Sequence, residues 1–64
     1  MEKLVILDYS TGEVDVYDID SEVEVNEDLI ESLGHNSNDC YWMCGENIRV
    51  TFNSEIVRNG NKDN

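Results

Sequence analysis

Lys3-Leu4-Val5-Ile6-Leu7-Asp8-Tyr9, Ser10-Thr11-Gly12 and Glu13-Val14-Asp15-Val16-Tyr17-Asp18-Ile19 follow one another without a break. The first string is apolar on both faces through Leu4 to Leu7, which suits a central strand covered on two sides. The third string returns as a second strand. Between them Ser10-Thr11-Gly12 predicts a three-residue hairpin loop, with Gly12 free to take the left-handed conformation that closes it. In that register Ile6 faces Val16, and Leu4, Val14 and Val16 share a face. Val5, Leu7, Tyr9 and Tyr17 lie on the opposite one. After Val16 the alternation slips by one position, and Ile19, Val23 and Val25 take the inward parity. A bulge near Tyr17 and Asp18 accounts for the slip and turns Asp18, Asp20, Glu22 and Glu24 outward.

Downstream of the hairpin, Asn26 is a good helix N-cap, followed by Glu27 and Asp28 in the first turn, where the dipole favours negative charge. Val25 and Ile30 are placed as a hydrophobic staple. Leu29, Ile30 and Leu33 make one apolar stripe, and Gly34 stops the helix. About two turns long, it forms only by docking on the sheet. Residues 40–44 and 48–52 read as a second hairpin around Gly45-Glu46-Asn47. A three-residue loop with Asn47 left-handed gathers Cys40, Trp42, Cys44, Ile48, Val50 and Phe52 on one face. A two-residue Gly45-Glu46 turn gathers Tyr41, Met43, Ile48, Val50 and Phe52 instead. The first register is preferred because it buries Trp42.

The expected architecture is therefore α+β: a single small domain over residues 1–58, in ββαββ order. A mainly antiparallel sheet carries one short helix packed on one face. The N-terminal strand is expected at the centre, paired with residues 48–52. Residues 54–58 add a helical turn, and residues 59–64, with nothing to bury, are expected to be a disordered tail.

The chain has 64 residues, 15 Asp and Glu against 4 Lys and Arg, a net charge of -11, and two Cys. A chain this short buries only about 60% of the surface its unfolded form exposes, which argues against an enzyme with a deep enclosed cleft. Direct nucleic-acid binding is excluded, because phosphate contact needs clusters of Lys and Arg. The longest apolar run is far short of the ~20 residues of a membrane span and of a signal-peptide core. A cytoplasmic protein without membrane partners is expected. Cys40 and Cys44, about 13 Å apart if on one strand, cannot form a disulfide. Two free buried thiols fit a reducing compartment.

Charge distribution is the strongest functional signal. Lys3 and Arg49 bracket 45 residues holding twelve carboxylates and no basic residue. Residues two apart on a strand repeat at ~6.6–6.8 Å on one face, so Asp18, Asp20, Glu22 and Glu24 make a row if the segment stays extended. Glu27, Asp28 and Glu31 continue it on the helix. Such a row imitates a nucleic-acid backbone and attracts Lys- and Arg-lined grooves. The alternative is that these residues keep a small protein soluble, and that Tyr9, Tyr17 and Leu7 form the contact face of an interaction module or homodimer.

Other constellations carry less. His35, Cys40 and Cys44 have the spacing His-x4-Cys-x3-Cys, which matches no standard zinc finger, although Asp39 or Glu46 could supply a fourth ligand; metal binding through these three residues is a third, distant reading. No metal or other cofactor is expected. A Cys–His nucleophile is disfavoured because the negative surroundings raise the thiol pKa. The acidic spacing lacks the Gly-centred calcium loop, and phosphate-cradling glycine motifs are absent. No enzymatic activity is expected.

The strings Asp8-Tyr9-Ser10-Thr11-Gly12-Glu13-Val14, Ser32-Leu33-Gly34-His35, Asp39-Cys40 and Trp42-Met43 resemble those of small uncharacterised acidic proteins of bacterial phages and conjugative elements. That resemblance covers roughly residues 3 to 58. It implies a setting in which small acidic proteins inhibit host factors by occupying a site, including by resembling DNA. The expected function is non-enzymatic binding of a basic protein surface, one form being inhibition of a nucleic-acid-binding protein. The candidate partner-binding residues are Asp18, Asp20, Glu22, Glu24, Glu27 and Glu31, with Tyr9 and Tyr17 on the alternative face.

Overall fold

A computed structural model describes residues 1–58, and the tail expected at residues 59–64 lies outside the described residues. Three strands, β1 (Glu2–Asp8), β2 (Glu13–Ile19) and β3 (Cys40–Gly45), form one antiparallel sheet in the order β2-β1-β3. Helix α1 (Glu27–Ser32) and a single 3-10 turn (Ser37–Asp39) lie between β2 and β3. The α+β class, the short helix and the central position of the first strand are as expected. The order among the described residues is ββαβ.

The hairpin turns one residue earlier than expected. Asp8 pairs with Glu13, and Gly12 N–H donates to the Asp8 carbonyl at 2.9 Å with Gly12 at φ 74°. The cause is the Asp8 side chain. Its Oδ1 accepts from Ser10 N–H at 2.9 Å, from the Ser10 hydroxyl at 2.6 Å and from Thr11 N–H at 3.3 Å, an Asx-type turn that starts the reversal at once. A one-residue shift exchanges the faces of the whole return strand. Val5 now faces Val16, Leu7 faces Val14 and Leu4 faces Tyr17. Tyr17 therefore joins the helix-covered face, while Val14 and Val16 move to the open one. The expected bulge is unnecessary: pairing runs unbroken to Ile19 opposite Glu2.

The helix forms as the sequence predicts. Asn26 Oδ1 accepts from Leu29 N–H at 3.0 Å, and Val25 packs with Ile30 against the core. At the far end His35 N–H donates to the Ile30 carbonyl and Gly34 N–H to the Glu31 carbonyl, with Gly34 at φ 94°. This is a Schellman closure, which needs a left-handed residue after the cap. Leu4, Ile6 and Ile30 are fully buried and, with Cys40, make the core, flanked by Tyr17, Ile19, Val25, Leu29, Leu33 and Trp42.

The second hairpin is the main correction. Cys40, Trp42 and Cys44 do share the helix-side face, opposite Asp8, Ile6 and Leu4. Their strand, however, is the one that pairs with β1, and residues 48–52 form neither a strand nor a partner for β1; residues 54–58 form no helical turn. No non-glycine residue among those described has positive φ, so Asn47 does not make the left-handed turn. Coverage explains this. A six-residue helix is about 9 Å long at 1.5 Å per residue, enough to span strands about 4.8 Å apart only two or three deep. A fourth strand beyond β3 would find no helix to bury its apolar residues, and Val50 and Phe52 are exposed.

Candidate functional site

Two features stand out: a closed polar cluster at one end of the covered face, and an uncovered apolar face behind it. The Schellman turn builds the first. By reversing the chain at Gly34 it lays His35 over the end of the sheet where β1 ends in Asp8. His35 Nδ1 donates to Asp8 Oδ2 at 2.7 Å, and both groups are buried. The other ring nitrogen, Nε2, lies 3.2 Å from Asp15 Oδ2 and 3.4 Å from the Tyr17 hydroxyl. Asp15 and Tyr17 reach it because the early hairpin turn puts both on the helix side. Cys40 begins β3 opposite Asp8 and completes the cluster.

The charges follow from this geometry. The His35 contact, with the bonds from Ser10 and Thr11, holds the Asp8 carboxyl far below the ordinary carboxylate range despite burial. The Asp8 hydrogen bond raises the His35 pKa; burial opposes this, and the Asp15, Asp8 and Glu13 charges reinforce it. An imidazole placed between two carboxylates is favoured as the cation. Burial first, then the Asp8 charge, raises the Cys40 thiol.

The open face presents Val5, Leu7, Val14, Val16, Tyr41 and Met43 from all three strands. Val5 is buried by its neighbours, but Val16 is 45% exposed, Met43 58% and Val14 60%. A shallow groove of about 220 Å³ runs over it, lined by Val5, Leu7, Tyr41, Trp42 and Met43. Tyr9 and Tyr41 meet edge to face at one end, with centroids 5.3 Å apart. Lys3 and Asp18, paired across β1 and β2, mark the other.

The predicted acidic row is not continuous. Asp18 lies on β2 and is bonded to Lys3. At Asp20 the chain turns: Val23 N–H donates to the Asp20 carbonyl at 3.0 Å and Glu22 N–H to Asp20 Oδ1 at 3.2 Å. Extended spacing therefore ends before Glu22 and Glu24. Glu27 and Glu31 lie on α1, and Glu31 accepts from Ser37 N–H at 2.8 Å, which lowers its pKa. All six carboxylates are exposed. Of the two tyrosines, Tyr9 is exposed beside the open face and Tyr17 is half-buried on the other. The thiols also differ: Cys40 is buried, whereas Cys44 is exposed rather than buried, and both are free.

Sequence reasoning missed Asp8 as the partner of His35. Its signals were Asp8 before Ser-Thr-Gly, a side-chain turn, and Gly34 before His35, a helix closure. Among the described residues no helix is long and apolar enough to cross a membrane. Compared with protein-family models, curated proteins and solved structures, the chain matches none.

Proposed function

We propose that this is a non-enzymatic protein-binding module that docks on a partner through the open face of its sheet. The observation that carries the reading is the row of Val14, Val16, Leu7, Tyr41 and Met43, exposed on one face of all three strands. Contiguous exposed apolar patches of this kind mark interaction surfaces. The groove on this face is lined by apolar residues, which suits contact rather than chemistry.

Charge selects the occupant. A second copy of the chain brings another -11, so self-association works against like-charge repulsion. A partner with an apolar centre and a rim of Lys and Arg gains at both levels: the carboxylates accelerate encounter and the open face holds the complex. A basic protein that itself binds nucleic acid fits this description, which makes inhibition by occupancy one form of the function. Free thiols at Cys40 and Cys44 suit the reducing cytoplasm.

The test is capture from lysate with three proteins: the wild type, Val16→Glu, and a variant with Asp20→Asn, Glu22→Gln and Glu24→Gln. A protein held by the wild type should be lost with Val16→Glu. The neutralised variant should keep it but load more slowly at low salt, approaching the wild type in high salt. Equal capture by folded Val16→Glu rejects the open face. Loss with the neutralised variant alone favours recognition by the acidic residues themselves.

A further inference from the structure

We propose that Asp8, His35 and Cys40 form a binding site for a divalent metal ion of the zinc type, with Asp15 as the supporting carboxylate. One donor atom from each of the three residues lies within 4.8 Å of the others, and all three residues are buried. Tetrahedral zinc at about 2.0–2.3 Å from its ligands needs donors about 3.3–3.6 Å apart. His35 Nδ1 and Asp8 Oδ2, 2.7 Å apart, have only to separate slightly to reach that spacing, and Cys40 has its donor within 4.8 Å of one from each of them.

The surroundings are those of a metal site. Ligating groups are held by a second layer of hydrogen bonds, such as a carboxylate behind the far nitrogen of the histidine. Here Asp15 Oδ2 stands 3.2 Å from His35 Nε2, leaving Nδ1 to the ion. Asp8 Oδ1 is fixed by Ser10 and Thr11, leaving Oδ2 to the ion. The charges balance as well. The ion replaces the thiol proton of Cys40 and the proton between His35 and Asp8. Two positive charges thus exchange for two, and both protons leave to solvent. One thiolate, one imidazole and one carboxylate suit zinc or cobalt, not calcium or magnesium, which take oxygen ligands. Three protein donors leave the fourth position to water.

Cobalt(II), which reports thiolate ligation in its spectrum, tests the proposal on the full-length chain after stripping with EDTA under reducing conditions. One cobalt per chain should bind, with a thiolate-to-cobalt charge-transfer band and the visible bands of a tetrahedral site; zinc should displace it. Cys44→Ala should keep the band unchanged and Cys40→Ala should lose it. Asp15→Asn should bind about 10–100-fold more weakly. Zinc should raise the melting temperature of the wild type and of Cys44→Ala. If the wild type binds no stoichiometric cobalt, or the band depends on Cys44, the proposal is wrong. Because Cys44 is exposed, its variant decides the matter even if Cys40→Ala does not fold.

Discussion

His35 is the residue on which the covered face closes, and it makes stability depend on pH in a defined way. Its folded pKa lies above the ordinary 6.5. Its contribution is therefore complete below that pH and is lost as pH rises through the folded value. Asp8 works in the opposite sense. Its folded pKa lies below the ordinary 3.8, so its contribution holds above about 4 and disappears as pH falls. In EDTA, the melting temperature should be highest between about pH 4 and 6.5 and fall toward pH 8.5. His35→Gln should lower the maximum and flatten the alkaline limb. A wild-type melting temperature that holds steady or climbs from pH 6.5 to 8.5 contradicts the His35 assignment. Ile30→Ala, at a fully buried site, should cost about 2–5 kcal/mol in denaturant unfolding. At this scale the sequence was partly legible. His35, Cys40 and the apolar core positions were visible as candidates. The partner of His35 lies 27 residues away, and no local pattern links the two.

Among the elements, the helix was readable because both its ends are local chemistry. The Asn26 cap, the acidic first turn and the Gly34 stop all act within a few residues. Asn26→Ala should destabilise by about 1 kcal/mol. Gly34→Ala forces a side chain into left-handed backbone and should cost roughly 1–2 kcal/mol, while loosening His35 from Asp8. The hairpin register was misread because Ser-Thr-Gly suggests a loop length, while the Asp8 carboxylate sets the starting point. The fourth strand was misread for a different reason. Alternation in Ile48, Val50 and Phe52 satisfies the local requirement for a strand, but the short helix leaves no buried place for one. Phe52, 93% exposed, provides the check. Phe52→Ala should change stability by no more than about 0.5 kcal/mol, whereas a buried Phe would cost about 3–5 kcal/mol.

For the molecule as a whole, the two faces of the sheet divide the work. The helix side holds the core and the His35 cluster, and the other side offers apolar contact. The net charge of -11 surrounds both, and its self-repulsion should be relieved by salt. The melting temperature should therefore rise between low and moderate ionic strength; an unchanged value means that the carboxylates are dispersed well enough not to repel. Dispersal already weakens the reading of a regular anionic row, since the Asp20 turn interrupts it. In the proposed function, charge guides approach and the open face confers adhesion. Methyl NMR of the complex with a captured partner measures this division directly. Signals of Val5, Leu7, Val14, Val16 and Met43 should shift or broaden, while those of Leu29 and Leu33 should stay in place. Perturbation centred on Leu29 and Leu33, with the methyls of the open face unmoved, would contradict the account.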